Sequence, residues 1–193
     1  MTRSIEAAAR DFATHYHGII GQRRKYTNDP YIVHPAAVVE IVRAVSHTPE
    51  MIAAAWLHDV VEDTPATLDE VRITFGRHIA SLVEMLTNAS RPEDGNRATR
   101  KAIDRAHLAA ASPEAKTVKL ADLIDNTSSI VAHDPKFARI YLVEKAQLLS
   151  VLRDGDPVLW FRADAIMAEA CATLGRVSDA AGPQAMETLA LAR

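Results

Sequence analysis

The sequence predicts an all-α protein folded as a bundle of about eight to ten helices. Apolar residues recur at helical spacings of three and four along the chain, whereas the two-residue alternation typical of strands is scarce. Glycine is rare, at 7 of 193 residues, and aromatic residues make up only 5%. Several prolines stand directly after a Ser, Thr or Asp, which is the pattern of a helix start. Together these features favour helices over most of the chain.

The helices have recognisable start and stop signals. Their predicted ranges are 3–20, 34–46, 49–61, 67–74, 76–88, 97–111, 113–131, 135–152, 157–174 and 182–192. Four of the starts place a capping side chain before a proline: Thr48-Pro49, Ser112-Pro113, Asp134-Pro135 and Asp156-Pro157. Proline suits the first helical position because its missing N–H would have had no partner within the helix. Gly175 predicts the end of the helix at 157–174.

Two long polar stretches interrupt the helical pattern. One is the basic segment GQRRKYTNDPYIVHP at 21–35, and the other is TNASRPEDGN at 87–96. Long polar loops in compact helical domains are often functional. Both are therefore candidate parts of a binding site.

Size and composition limit the domain organisation and the function. With 48% hydrophobic residues, the chain can build one domain with a substantial core. We expect that domain at 1–175, followed by a tail at 176–193 that forms a short helix packed on or near it. The net charge of −3 argues against a general nucleic-acid binder, which is usually basic.

The chain lacks sequence signals for export and for membrane insertion. No apolar run approaches the roughly 18 residues that a membrane helix needs, and charges interrupt the N-terminal segment where a signal peptide is apolar. Cys171 is the only cysteine, which excludes an internal disulfide and a cysteine-rich zinc site. We expect a cytoplasmic protein with no membrane or nucleic-acid partner; homo-oligomer formation stays open.

The densest group of ionisable side chains is WLHDVVEDT at 56–64, at the end of an apolar helix. His58 and Asp59 are adjacent and point about 100° apart on a helix, so both reach one ion only at its rim or end. His34 is the third candidate ligand. Asp122 is the fourth, because a carboxylate set among apolar residues must be paired or bind a cation. This mixed set suits Mn, Fe, Co or Zn better than Ca or Mg.

A His-Asp pair alone is weak evidence for a metal ion. The chain has 8 histidines and contains a second pair, His133-Asp134. Because that pair precedes Pro135, Asp134 is predicted to be a helix cap. Neither an acidic pair nor an apolar flank accompanies it, which favours a structural role for the second pair.

Four motifs follow one another along the chain: RRK at 23–25, YIVHP at 31–35, LHDVVEDT at 57–64 and KLADLIDN at 119–126. Their order and rough spacing resemble those of the HD-domain hydrolase module of RelA/SpoT homologues. Each motif alone is unspecific, but the set is specific, and the resemblance covers about residues 5–170. The chain is similar to a stand-alone small alarmone hydrolase, with no length left for a synthetase half or regulatory domains. The resemblance implies an HD-domain helical bundle.

The resemblance also implies roles for individual residues. The implied ligands of a metal ion, usually Mn²⁺ with another divalent transition metal as the alternative, are His34, His58, Asp59 and Asp122. The implied catalytic residues, which position or activate the attacking water, are Glu62 and Asp63. The implied substrate contacts are Arg24 against the base, Lys25 on the nucleotide, Asn126 on the nucleoside and Tyr31 in the pocket wall.

The implied substrate is a small nucleotide with a diphosphate on its 3′ oxygen, either (p)ppGpp or its adenine counterpart. Water attacks the phosphorus attached to the 3′ oxygen, a neighbouring carboxylate takes its proton, and pyrophosphate is released. Two other functions stay open. One is a phosphatase on another nucleotide, such as the 2′-phosphate of NADPH, and the other is a nucleotide-binding sensor without turnover.

The last motif departs from the family pattern. Leu123 stands where the family has a basic residue, and Asp125 stands where it has an aromatic residue or a histidine. Thr127 follows Asn126 in place of a basic side chain. These changes leave the preference for guanine or adenine undecided. They do not affect the implied metal ligands or the acidic pair.

Overall fold

The computed structural model describes residues 4–180, with side chains described through residue 175. The helices are Ile5–Ile19 (α1), Val33–Arg43 (α2), Pro49–Leu57 (α3), Val60–Asp63 (α4), Leu68–Phe75 (α5), Arg77–Leu86 (α6), Arg97–Ala109 (α7), Pro113–His133 (α8), Pro135–Val151 (α9) and Pro157–Ala180 (α10). A 3₁₀ turn at Pro92–Asp94 lies in the second polar loop. Outside the helices, the described residues form one isolated bridge, between Arg23 and Pro30. The predicted all-α class is confirmed.

The four predicted proline-preceding caps are formed. In each, a side-chain oxygen accepts a hydrogen bond from the backbone N–H three residues later, which satisfies a donor that the helix leaves free. The donor–acceptor distances are 3.2 Å for Thr48–Met51, 3.2 Å for Ser112–Ala115, 3.1 Å for Asp134–Phe137 and 3.1 Å for Asp156–Leu159. The sequence signals therefore place these helix starts correctly.

Two helices, α3 and α8, run through the core. Every residue from Met51 to Leu57 is buried, as expected for a helix that is apolar on all sides. Helix α3 packs against α1, α2, α6 and α8, and α8 packs also against α2, α9 and α10. The end of α3 and the middle of α8 therefore meet inside the bundle, where α2 also joins them.

The predicted helix at 49–61 is wrong in one respect, because the structure divides it. Helix α3 ends at Leu57 and α4 begins at Val60, with Asp59 at φ −102° and ψ −5° between them. The His58 ring nitrogen Nδ1 lies 2.8 Å from the carbonyl oxygen of Ala55. That carbonyl is the acceptor that the Asp59 N–H would use in a continuous helix, so the side chain competes with the helix here.

The predicted stop at Gly175 is also wrong, since α10 continues to Ala180. A lone glycine costs only about 1 kcal/mol in a helix interior, and proline first returns at Pro183. The predicted helix at 182–192 lies outside the described residues. Among the described residues, no helix has both the length and the apolar character required to cross a membrane.

Candidate active site

Three segments bring the four predicted metal ligands together. Helix α2 contributes His34, the break between α3 and α4 contributes His58 and Asp59, and α8 contributes Asp122. The Nε2 atoms of the two imidazoles lie 3.3 Å apart. The Asp59 Oδ2 atom lies 3.0 Å from Nε2 of His58 and 3.5 Å from Nε2 of His34. The break in the helix lets two adjacent side chains reach the same point.

Asp122 stands at the edge of this cluster. One ligand atom from each of His34, His58 and Asp59 lies within 4.8 Å of the others, and these three form the metal-binding group that the geometry supports. The Asp122 Oδ1 atom is 3.3 Å from His34 Nε2 and 4.0 Å from His58 Nε2. Asp122 therefore contacts both imidazoles, and its role as a fourth ligand stays a prediction.

Both imidazoles have one nitrogen occupied by protein and one directed into the cluster. The Nδ1 atom of His34 lies 2.6 Å from Asp125 Oδ2, and that of His58 lies 2.8 Å from the Ala55 carbonyl oxygen. Both partners are acceptors, so each Nδ1 carries the proton and donates it. This fixes the tautomer in which Nε2 can bind a metal.

The charges of the cluster compensate one another. Burial opposes protonation of His34, but hydrogen bonds to Asp122, Asp125 and Asp59 outweigh it and raise its pKa to about 11. Burial also opposes ionisation of Asp59, yet His58 and His34 hold the pKa of this carboxyl well below its usual range. The carboxylates thus stabilise positive charge at this point, which a bound cation would supply in place of the protons on Nε2.

The donor set fits a divalent transition metal. Two imidazole nitrogens 3.3 Å apart match two ligands of one ion, because metal–nitrogen bonds are about 2.0–2.1 Å long. A mixed nitrogen and oxygen set favours such metals over Ca or Mg. His34, His58 and Asp59 therefore form a candidate metal site.

The acidic pair of α4 lies beside the cluster. Glu62 and Asp63 line a cavity of about 240 Å³ together with Asp59 and Asp122. The Glu62 carboxylate accepts hydrogen bonds from the Asn88 side chain at 2.5 Å and from its backbone N–H at 3.2 Å. Burial raises the pKa of Glu62, and it raises the pKa of Asp63, where the charge of Asp59 adds to the effect. Raised pKa values suit carboxylates that accept protons near neutral pH.

Asp63 is held by a second chain of hydrogen bonds. The Gln22 amide nitrogen donates to Asp63 Oδ2 at 2.8 Å, and the Gln22 oxygen lies 2.6 Å from Nδ1 of the buried His17. Burial lowers the pKa of His17, so its ring is neutral and donates from Nδ1. His17 thereby orients the amide of Gln22 toward the acidic pair. Neither residue is among the site residues predicted from the sequence.

The four predicted substrate contacts differ in how close they lie to the cavity. Tyr31 and Asn126 line the cavity. The Tyr31 hydroxyl donates to Asp59 Oδ2 at 2.6 Å, so it also orients a candidate ligand. Arg24 lies beside the cavity, where it donates to Asn126 at 3.1 Å and to Asp125 at 3.3 Å.

Like Arg24, Lys25 does not line the cavity, and it lacks the contact with a lining residue that Arg24 makes through Asn126. Its side chain is 70% exposed and its Nζ is 3.7 Å from an Asp134 oxygen. Of the four predicted contacts, Lys25 is therefore the one that the structure separates from the site.

Two further residues at the site are not among those predicted from the sequence. Asp125, which was noted only as a departure from the family pattern, bonds both His34 and Arg24. The Lys119 ammonium lies 2.7 Å from Asp122 Oδ2. Both residues stand three positions from Asp122 on α8, a spacing that places side chains on neighbouring parts of one helix face. That spacing is the sequence signal that could have identified them.

Comparison with known proteins places this chain in a family. The family described as HD domain matches residues 9–154. The mouse guanosine-3′,5′-bis(diphosphate) 3′-pyrophosphohydrolase MESH1 is 41% identical over 125 residues, which are 63% of this chain and 66% of the mouse protein. A probable guanosine-3′,5′-bis(diphosphate) 3′-pyrophosphohydrolase of Synechocystis is 37% identical over 121 residues, which are 61% of this chain and 16% of that protein.

A solved structure agrees with these sequence matches. It is that of a metazoan orthologue of SpoT that hydrolyses ppGpp, with a TM-score of 0.77 at 29% identity. The similarity covers 88% of this chain and 97% of the solved chain, whereas the sequence matches span less than two thirds of the full mouse and cyanobacterial proteins. The family match at 9–154 contains every predicted site residue. The chain belongs to the HD-domain family.

Proposed function

We propose that this protein is a metal-dependent 3′-pyrophosphohydrolase of alarmone nucleotides, acting in the cytoplasm with Mn²⁺. The observation that supports this most directly is that a residue of the candidate metal site and the acidic pair line one cavity. Asp59 of the candidate metal site, and Asp122, which contacts both of its imidazoles, line the same cavity as the acidic pair Glu62 and Asp63. The activity named for the mouse relative and for the solved SpoT orthologue supports the choice of substrate.

The residues in and around the cavity would have different roles in hydrolysis. A divalent ion held by His34, His58 and Asp59 would polarise a phosphate oxygen and make water more acidic. The acidic pair is suited to accept the proton of the attacking water, because both carboxyls have raised pKa values. Asn88 and Gln22 hold these carboxylates in place by hydrogen bonds.

The proposed reaction exchanges one phosphorus–oxygen bond for another. The water oxygen bonds to the phosphorus that is attached to the 3′ oxygen, and the bond between that phosphorus and the 3′ oxygen breaks. The nucleoside oxygen leaves and takes up a proton, and pyrophosphate is released. Arg24 is fixed by Asp125 and Asn126, which suits a guanidinium that stacks on the base.

The test is a product analysis with the full chain. Purified protein is loaded with Mn²⁺, its metal content is measured, and it is incubated with the guanosine or the adenosine 3′,5′-bis(diphosphate). We expect pyrophosphate and the corresponding 5′-diphosphate, separated and identified by ion-exchange chromatography. Protein stripped of metal with a chelator is the control and should release neither product.

Two results would contradict the proposal. Release of orthophosphate in place of pyrophosphate would identify a phosphatase. Absence of every product, from protein that demonstrably contains metal, would leave a binding protein without turnover. The ratio of the rates with the two nucleotides measures the base preference directly.

A further inference from the structure

Helix α9 carries a lysine within its buried face. The buried residues of this helix and its end are Ala138, Tyr141, Leu142, Leu148, Leu149 and Leu152. They recur at spacings of three and four, and Lys145 falls at the position where this series requires its next member. An apolar side chain would complete the stripe, so a lysine here requires a separate explanation.

The Lys145 ammonium has no anionic partner among the described residues. Its recorded contact is with the ring of Tyr141, whose centroid lies 5.1 Å from Nζ. The adjacent acidic residue, Glu144, is occupied by Arg97 through two hydrogen bonds of 2.6 and 2.8 Å. Lys145 is thus a partly buried cation that lies against a ring face and has no carboxylate partner among the described residues.

Lys145 lines the cavity of the candidate active site, together with two lysines that have carboxylate partners. Lys119 lies 2.7 Å from Asp122, and Lys101 lies 3.4 Å from Asp104. Of the three lysines that line this cavity in the described part of the chain, Lys145 is the one without a carboxylate partner. An unpaired cation withdrawn from water is costly. An anion that enters the cavity would offset that cost.

The charges around Lys145 agree with this view. Burial lowers the pKa of Lys145 to about 8, and the positive charges of Lys119 on α8 and Lys101 on α7 add to the effect, while Asp122 and Glu144 oppose it. The two neighbouring ammonium groups therefore add to the need of Lys145 for a negative charge of its own. A phosphate group would supply it, because lysine binds phosphate as a compact point charge.

We propose that Lys145 binds the terminal phosphate of the 3′-diphosphate, so that the cavity selects a diphosphate over a monophosphate at that position. The identity of the substrate rests on the proposed function, whereas the anion contact rests on the unpaired lysine alone. The reacting phosphate has to lie at the Asp59 and Asp122 side of the cavity. The terminal phosphate then extends toward the lysines of α8 and α9 that line the same space.

The inference is tested with inorganic pyrophosphate as the probe. Its dissociation constant for the Mn²⁺-loaded full chain is measured by calorimetry for the wild type and for three variants. Lys145→Met removes the charge and completes the apolar stripe, Lys145→Arg keeps the charge, and Lys136→Met removes an exposed lysine from the same helix. We expect Lys145→Met to weaken binding about 10- to 100-fold, since a hydrogen bond to a charged group is lost.

The variants separate a ligand contact from a structural role. Lys145→Arg should bind pyrophosphate within a few-fold of the wild type, and Lys136→Met should match it. All variants should retain their metal content. With the 3′-diphosphate substrate, Lys145→Met should raise KM more than it lowers kcat, and it should leave the inhibition constant of a 3′-monophosphate analogue unchanged. Equal weakening by Lys145→Met and Lys145→Arg would overturn the inference, because the charge would then be irrelevant.

Failure of this inference can be distinguished from failure of the proposed function. If the wild type releases pyrophosphate from the substrate but Lys145→Met binds pyrophosphate as tightly as the wild type, the inference alone is wrong. If the wild type hydrolyses nothing while Lys145→Met weakens pyrophosphate binding, the anion site is supported and the proposed activity is wrong.

Discussion

The chain contains the dipeptide His-Asp twice, and the two copies have different surroundings and different contacts in the structure. His58 is 1% exposed and its Nε2 atom meets His34, Asp59 and Asp122. His133 is exposed at the end of α8, where its Nδ1 lies 2.8 Å from the carbonyl oxygen of Ser129. Asp134 caps α9 through the backbone N–H of Phe137. One copy joins a buried charge cluster, and the other ends one helix and begins the next.

The difference lies in what surrounds each copy. Around His58, α2 and α8 each supply an ionisable side chain within 4.0 Å. Around His133, the ring stacks on Tyr26 at a centroid distance of 5.7 Å, and Lys25 approaches the neighbouring aspartate from solvent. A His-Asp pair therefore becomes a candidate metal site through its partners on other helices, and the dipeptide itself decides little.

The largest expected effect separates the two histidines directly. His58→Ala should abolish both metal binding and hydrolysis, because it removes one of three clustered donor atoms. His133→Ala should retain both within about twofold, since surface changes away from such features are usually small. Metal content by mass spectrometry and pyrophosphate release measure the two properties. Retention of metal and activity by His58→Ala would remove the basis for the proposed centre.

The second effect concerns rate without loss of the metal. Glu62→Ala should keep the metal content and lower kcat by about 10²–10⁴, the range for a residue that assists proton transfer. Because burial raises the pKa of Glu62, wild-type activity should fall as the pH decreases through this raised value, where the carboxylate becomes protonated. A kcat–pH profile of the wild type and the variant measures both. Full rate in the variant would show that Glu62 has another role.

The local features of the fold could be predicted because their causes are local. A cap such as Thr48 or Asp156 depends on residues within one turn, and so does the apolar face of a helix. The predicted meeting of His34, His58 and Asp122 required more, namely the family resemblance and the cost of burying an unpaired carboxylate. The structure brings these side chains together, while their roles as ligands stay predictions.

The missed features arise from contacts between distant parts of the chain. The division of the helix at 49–61 has no glycine or proline at 58–59 to signal it, and it accompanies the contact of the His58 ring with Ala55. Asp125 could not be assigned to His34 from sequence, because 91 residues separate the two positions. The position of Lys145 at the site could not be predicted for a related reason. Its spacing from the buried residues of α9 places it on the buried face of that helix, but only the structure shows that this face borders the cavity.

A third effect tests the partner of His34. Asp125→Asn keeps an oxygen that can accept from Nδ1 but removes the charge, so metal affinity should fall by about 10- to 100-fold, as is typical when a ligand's supporting carboxylate is lost. Asp134→Asn is the matched control, because Asp134 is likewise approached by a basic residue of the 21–35 segment. Calorimetric titration with Mn²⁺ measures both. Equal affinity in the two variants would mean that Asp125 serves only Arg24.

The smallest expected effect belongs to the second His-Asp pair and concerns stability alone. Asp134→Ala removes the cap of α9, so Tm should fall by roughly 2–4 °C, the shift typical for loss of a cap in a domain of this size. The hydrogen bond from the Phe137 backbone, with smaller contributions from Tyr26 and Lys25, lowers the pKa of Asp134 in the folded protein. A carboxyl with a lowered pKa stabilises the fold above its unfolded pKa and loses that contribution as the pH falls through the folded value.

The difference in Tm between wild type and Asp134→Ala should therefore be full at neutral pH and shrink in acid, while metal content stays equal throughout. Thermal unfolding followed by circular dichroism at several pH values measures it. The control is Asp134→Asn, which can still accept from the Phe137 N–H but does not ionise, so its Tm difference from wild type should be smaller at neutral pH and should change with pH by the same amount as that of Asp134→Ala. Loss of metal in Asp134→Ala would be the contrary result, because it would connect the second pair to the cluster from which the structure separates it.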